Sequence, residues 1–278
     1  MPGSQRPPLS ESALRAELVR PGGCWTDLRV VAETASTNDD LVTAARAGAA
    51  EGVVLVAESQ SAGRGRLDRT WLSPPRAGLT FSVLLRPTGV PVARLAWLPL
   101  LAGVSLCAAV RTTGGVEAAL KWPNDLVRDG RKLAGVLSVV AAGAAVVGIG
   151  LNVSNRPEEL PRADASSLDL ERAARTERAG PAERSGRVDR DALLRAVLGR
   201  LAADYRAWRE AGGDPVGSGL RAAYLDVCDT VRRSVSVALP SGEVLVGVAT
   251  GVDAEGRLVV ATAGGERTVA AGDVVHVR

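Results

Sequence analysis

The chain has 278 residues, 46% of them hydrophobic, and a formal net charge of only +3. That is enough apolar material for a main domain plus a smaller one, while so small a net charge does not indicate the clustered basic face of a nucleic-acid binder. Cys24, Cys107 and Cys228 are widely spaced with no C-x-x-C pattern, and His276 is the single histidine; this argues against a disulfide framework, a zinc site and a Ser-His-Asp triad.

In chain order, the N-terminus lacks an apolar signal segment, so the chain reads as cytoplasmic. A short helix is predicted over 10–20 and a strand over 25–31. Ser36-Thr37-Asn38-Asp39-Asp40 is rich in capping residues and opens a helix that ends at Gly48. A buried strand follows over 53–57. The polar, glycine-bearing stretch 58–69 reads as a loop without regular structure. Next come a strand over 79–85 and an apolar helix over 93–111, interrupted or kinked near Pro99.

Asp129-Gly130 and Ala142-Gly143 mark two hairpin turns. The uncharged run 133–151 approaches membrane-span length, but its broken middle fits two buried strands better. From 155 to about 187 the Arg, Glu, Ala and Pro content predicts an exposed, partly mobile connection. Residues 189–210 form an amphipathic helix with Leu193, Leu194, Val197, Leu201, Tyr205 and Trp208 on one face. Five short strands, over 234–239, 244–250, 258–261, 267–270 and 274–277, then predict a small β-barrel.

Among the basic residues only two are lysines, Lys121 and Lys132, and both fall in one twelve-residue stretch. Arginine is a planar fork and lysine a compact point charge, so lysines kept only here point to a site where the ammonium itself matters, with a leftover pair of surface lysines as the plain alternative. Gly63-Arg64-Gly65-Arg66 can bring backbone N–H groups and two guanidiniums against anionic oxygens, though such a loop is also compatible with simple solvation. If Asp129-Gly130 is the turn, Val127 pairs with Lys132 and Asp125 with Ala134, which puts Asp125 and Lys132 on one face. That pair suits a metal–phosphate site or a plain cross-strand ion pair. Asn124 and Asn152 end hydrophobic strands, where they can read a polar ligand or cap a turn.

Ser36-Thr37-Asn38, Glu58-Ser-Gln60, Gly63-Arg-Gly-Arg66, Lys121-Trp-Pro-Asn-Asp125, Arg131-Lys-Leu-Ala-Gly135 and Gly148-Ile-Gly-Leu-Asn152 stand in the order seen in biotin protein ligases, and Ala165-Ser-Ser-Leu168 is similar to the short motif that follows them there. The chain resembles that family from about residue 30 to 168, and more loosely through the C-terminal strands. Two departures stand out: Leu67-Asp68 replaces the Arg-Gly of many members, and Thr230-Val-Arg-Arg233 lacks a glycine often found at the barrel entry.

The resemblance implies an α/β (α+β) fold: a mixed sheet flanked by helices, like class II synthetases, over 1–228, and an SH3-like β-barrel over 229–278. It implies formation of biotinyl-5′-AMP from biotin and ATP with Mg²⁺, then transfer of biotin to a lysine of a biotin carboxyl carrier domain of a biotin-dependent carboxylase. Carried over, Ser36, Thr37, Asn38 and Gln60 contact the biotin head group. Gly63, Arg64, Gly65 and Arg66 close over biotin and its phosphates, Lys132 bridges the biotin carboxylate and the α-phosphate, and Gly135 lies against biotin. Trp71, Lys121, Asn124 and Asn152 lie toward ATP, and Asp125 is nearest the metal. A lipoyl or octanoyl transferase is the nearest rival. About 30 residues before the first motif are too few for the winged DNA-binding domain of some relatives, so a short form is expected, with no specific nucleic acid, no membrane, and a monomeric or homodimeric state.

Overall fold

The computed structural model describes residues 6–66, 69–179, 186–239, 241–270 and 272–277. The chain runs α1 (Glu11–Leu18), β1 (Asp27–Val31), α2 (Thr37–Arg46), β2 (Val53–Ala57), β3 (Gln60–Arg64), β4 (Thr70–Ser73), β5 (Gly78–Leu85) and α3 (Leu98–Thr112). Then come β6 (Ala119–Lys121), β7 (Asp125–Arg128), β8 (Arg131–Ala141), β9 (Ala144–Asn152), α4 (Leu168–Ala179), α5 (Arg190–Glu210) and α6 (Leu220–Val227). Five strands follow: β10 (Ser234–Ala238), β11 (Val244–Val252), β12 (Leu258–Thr262), β13 (Gly265–Val269) and β14 (Asp273–His276).

Seven strands make one mixed sheet in the order β1-β2-β5-β9-β8-β7-β6, with β1 and β2 parallel and the other neighbours antiparallel. β5 and β9, at its middle, are buried along their whole length, which is why both read as apolar runs rather than alternating strands. Leu79, Phe81, Val83, Val147 and Ile149 share a buried cluster with α3 and α5. On the opposite face Leu41, Val42 and Ala45 of α2 pack with Leu55, Leu84 and Val146. The sheet therefore lies between helix layers, and α2 is the helix that overlooks the polar row described below.

Both predicted hairpins are present, with Asp129-Gly130 and Ala142-Gly143 at positive φ throughout (48°, 78°, 49° and 69°), the backbone of a tight two-residue turn. The expected kink near Pro99 is instead a helix start: a 3-10 turn over Val92–Trp97 leads into α3, with Pro99 in its first turn. There the missing N–H has no intrahelical partner to lose. By composition Val92–Thr112 is apolar enough to cross a membrane, but α3 lies under the sheet with residues such as Leu101, Leu106 and Val110 wholly buried.

Two further expectations are corrected, and one helix was not foreseen. The stretch 58–69 is not irregular: β3 pairs with β4, Gly63 opposite Trp71 and Arg64 opposite Thr70, with Leu67 and Asp68 outside the described residues. The predicted connection 155–187 contains α4 and a 3-10 turn over Pro157–Glu159, held by the buried Leu168 and Glu171; residues 180–185 lie outside the description. Helix α6 was not anticipated: it is eight residues long and buries only Leu220 and Tyr224, too short a stretch to display a helical period.

The C-terminal strands form an antiparallel sheet in the order β13-β12-β11-β10-β14. Its inward residues Val235, Val237, Leu258 and Val260 belong to the same buried cluster as Trp97 and Trp122. The two indoles donate to its β11–β12 turn, Trp97 to the Ala254 carbonyl at 2.8 Å and Trp122 to that of Gly256 at 3.1 Å. Where the sequence lacks the barrel-entry glycine, Arg232 takes a left-handed backbone, φ 72°, a conformation costing a non-glycine residue about 1–2 kcal/mol.

Candidate active site

The site is built on the α2 face of the large sheet. One transverse row across the strands reads Ala57, Thr80, Gly150, Gly135, Asp125, Lys121, each directly opposite the next. Opposed residues share a face, so the two glycines leave a bare floor between Thr80 and Asp125. The Trp71 indole lies on that floor. A Cβ added to Gly150 would come within 2.3 Å of the ring, and one added to Gly135 within 3.7 Å of it and 3.4 Å of Lys132 Nζ. Gly150 demands glycine because any side chain there would occupy the space of the indole, whereas a Cβ at Gly135 would meet the ring and Lys132 at ordinary contact distance.

A β-bulge gathers the charges. Val127 pairs with Lys132 as the hairpin argument predicts, but the register then shifts, and Asp125 lies opposite Gly135 rather than the expected Ala134. The extra residue on β8 sets Lys132 and Gly135 on the Asp125 face. Lys132 Nζ is 2.6 Å from Asp125 Oδ1 and 5.7 Å from the Trp71 ring centroid. That oxygen makes no directional hydrogen bond, so the contact is one of charges. The Lys132 backbone is pinned on both sides, its N–H donating to Asp164 and its carbonyl accepting from Ser166.

One step along β5, the row through Ser82 and Gly148 meets the start of α2. Ser36 caps that helix, accepting from the Asp39 N–H at 3.2 Å. Thr37 N–H donates to Gln60 Oε1 at 3.0 Å. Ser82 Oγ contacts Thr37 Oγ1 at 2.7 Å and Asn38 Oδ1 at 2.6 Å, and Asn38 Nδ2 donates to the Leu137 carbonyl at 3.2 Å. Gly63 is bare because Gln60 fills its side-chain space, 1.8 Å from a built Cβ. Ser36, Thr37, Asn38 and Gln60 thus form one buried polar cluster, as their spacing in the sequence could not show.

The arginines divide. Arg66 turns inward, Nη1 lying 3.4 Å from both Asn124 Oδ1 and the Gly272 carbonyl. Burial lowers its pKa from the usual guanidinium value, opposed by the nearby Asp273 and Asp125 charges. Arg64 stays out in solvent, 3.4 Å from Asp39. Gly65 N–H closes the hairpin on the Arg69 carbonyl at 2.6 Å, and Arg69 pairs with Asp273 of β14. Asn124 Nδ2 is tied to the Val136 carbonyl and Asn152 Nδ2 to that of Ser166, both at 3.0 Å, so each asparagine amide also serves the local backbone. Lys121 closes the row opposite Asp125. Sequence reasoning missed Ser82 and Thr80, which share this face of β5; two small hydroxyls in an otherwise apolar strand gave no clear signal.

A polar cluster and a cation set at two ends of a bare floor suit a small acid bound along the strands and activated at its carboxylate. Residues 31–154 match the biotin/lipoate A/B protein ligase family, and residues 233–277 match the biotin protein ligase C-terminal domain. The chain is 42% identical, over 98% of its length and 97% of the relative's, to the biotin–[acetyl-CoA-carboxylase] ligase of Mycobacterium tuberculosis. It is 28% identical to the bifunctional ligase/repressor BirA of Bacillus subtilis, covering 88% of this chain and 71% of that one. The biotin protein ligase of Aquifex aeolicus, solved in complex with biotin and ATP, superposes with a TM-score of 0.73 at 27% identity, covering 91% of this chain and all of that one. The chain belongs to the biotin protein ligase family.

Proposed function

We infer that this chain is an ATP-dependent biotin protein ligase acting on a carboxylase carrier protein. In the first step a biotin carboxylate oxygen attacks the α-phosphorus of ATP, the bond to the β-phosphate oxygen breaks, and pyrophosphate leaves. In the second the neutral ε-amine of an acceptor lysine attacks the acyl carbon of the adenylate; AMP departs and the amine loses its proton to solvent. The observation that carries this reading is the pairing, on one sheet face, of the Thr37–Asn38–Gln60–Ser82 cluster with Lys132 across the glycine floor.

We assign the site roles from the family resemblance, and the geometry supports them. Ser36, Thr37, Asn38 and Gln60 offer a fixed set of donors and acceptors to the ureido head group. Gly135 and Gly150 let the ligand lie close to the backbone, with Trp71 as the movable wall. Lys132 stands where two anionic oxygens must approach each other, and a compact ammonium offsets their repulsion. Arg66, held near Asn124, closes over the phosphates with Gly63, Arg64 and Gly65. Lys121, Asn124 and Asn152 extend the row toward the nucleotide. Drawing the hairpin over the adenylate excludes water from a hydrolysable anhydride.

Mg²⁺ fits as an ion carried in by ATP. No cluster of three His, Cys, Asp or Glu suited to a metal occurs among the described residues, and Mg²⁺ commonly takes substrate phosphates with one or two carboxylates. Asp125 is the carboxylate beside Lys132 that would touch it, and the ion would neutralise phosphate charge.

We further propose that residues 1–228 form the catalytic unit and 229–278 the barrel. The acceptor is the biotin carboxyl carrier domain of a biotin-dependent carboxylase, met by a monomer or homodimer in the cytoplasm; the free Cys24, Cys107 and Cys228 thiols accord with that compartment. With a net charge of +3, neither nucleic acid nor membrane is a partner in this proposal. The deciding experiment offers biotin or lipoate with MgATP and a lysine-bearing carrier domain, read by mass. One biotin per carrier is expected; lipoate transfer without biotin transfer would overturn the reading in favour of a lipoyl ligase.

A further inference from the structure

Strand β5 places two hydroxyls on the ligand face, and they are treated differently. Its residues Leu79, Phe81 and Val83 turn into the α3 cluster, so Thr80 and Ser82 turn the other way. Ser82 is satisfied by Thr37 and Asn38. Thr80 is 3% exposed, and its Oγ1 has no hydrogen-bond partner among the described residues. It lies directly opposite Gly150, whose missing Cβ points at the Trp71 indole, so the hydroxyl belongs to the floor on which the indole rests. Leaving a buried hydroxyl unpaired destabilises a fold. Valine has the same shape without that penalty, and this chain uses valine at buried strand positions such as Val54, Val56, Val83, Val146 and Val147.

We propose that Thr80 is a specificity-determining residue whose hydroxyl donates to the thioether sulfur of biotin. The inference rests on the biotin reading above. Biotin carries its heteroatoms in three places: the ureido group, the carboxylate and the ring sulfur. The Thr37–Asn38–Gln60–Ser82 cluster takes the first and Lys132 the second. Thr80 sits one strand repeat from Ser82, roughly 7 Å along β5, between those two ends and beside the bare Gly150. The heteroatom left to meet it is the sulfur, a weak acceptor that only a donor held at close range can use.

The test compares biotin with dethiobiotin, which keeps the ureido group and carboxylate and lacks the sulfur. Affinity is measured by titration calorimetry on the full-length wild type, Thr80→Val and Thr80→Ser, with pyrophosphate release as a second readout. Thr80→Val is expected to weaken biotin about three- to fivefold, the size of a weak hydrogen bond, and to leave dethiobiotin unchanged; Thr80→Ser keeps the wild-type preference. The unliganded Thr80→Val protein should melt above the wild type, because it no longer buries an unpaired hydroxyl. Equal weakening of both ligands, or an unchanged biotin-to-dethiobiotin ratio, overturns the proposal and leaves Thr80 a packing residue. A wild type that binds neither compound overturns the biotin reading itself, so the two failures are distinguishable.

Discussion

At Lys132 the proposed chemistry turns on the shape of a charge as much as its sign. Lys132→Arg keeps the positive charge but places a broad planar fork where Nζ now sits 2.6 Å from Asp125 and 3.4 Å from the side-chain space of Gly135. Adenylate formation should fall about a hundredfold or more, the usual consequence of losing one transition-state contact of a few kcal/mol. Pyrophosphate release by the folded variant measures it, and near-wild-type rates would refute the role. Gly150→Ala adds a Cβ 2.3 Å from the Trp71 ring. It should raise the KM for biotin more than the KM for ATP, with tryptophan fluorescence reporting the displaced indole. Lys132 and Asp125 were legible in the sequence because a two-residue turn fixes which strand residues share a face. Thr80 and Ser82 were not, because central strands are apolar on both faces and two small hydroxyls do not interrupt that pattern. Gly135 was legible only through the resemblance; the indole that lies beside it comes from 64 positions away in the sequence.

At the level of elements, the hairpin β3–β4 is weakly held. Its register breaks between Gln60 and Gly63, and Arg64, Arg69 and Leu72 lie largely in solvent. Few buried apolar contacts imply a low local opening energy, so limited trypsin digestion should cut after Arg64, Arg66 or Arg69 first. Biotin with ATP should protect these sites; equal cutting in both states would contradict ligand-driven closure. The hairpin was read as a loop because Gly63 and Gly65, which normally signal turns, here make room for Gln60 and for the backbone near Arg69. Strand β14 carries a pH-sensitive group. Burial, followed by the Lys121 charge, lowers the His276 pKa from 6.5, with Asp229 opposing and Arg233 adding to the shift. A base whose folded pKa is depressed stays neutral in the native state while the unfolded chain takes up a proton. The protein should therefore lose stability as the pH falls from about 6.5 toward the depressed value. His276→Gln should flatten the melting temperature across that window; an unchanged slope would show that other groups set it.

Across the whole molecule, the two sheets share one buried cluster, and Trp97 and Trp122 reach from one to the other. On the far side the buried Arg190–Glu58 pair, 2.7 Å apart, joins α5 to the segment leading into Gln60. Arg190 also donates to the Pro7 and Gly78 carbonyls at 2.6 and 3.1 Å. Thermal unfolding should accordingly be a single transition by both far-UV circular dichroism and tryptophan fluorescence; separate transitions for the two sheets would show that they are energetically independent. The five C-terminal strands could be read in advance from glycine turns and alternation, which are local signals. Their docking could not, since it depends on backbone carbonyls at 254 and 256 that carry no side-chain signature.

Arg66 reaches the Gly272 carbonyl, 206 positions further along the chain, and this bears on how the protein is made. On a ribosome adding about 5–20 residues per second, the polar cluster, the glycine floor and Lys132 emerge long before the backbone that holds Arg66 inward. A chain grown only through the large sheet would hold the proposed acid-binding half of the pocket without the Gly272 contact on Arg66. On the proposed function, the capacity to retain a reactive acyl phosphate would then be acquired only after the smaller sheet has followed the larger one out of the ribosome.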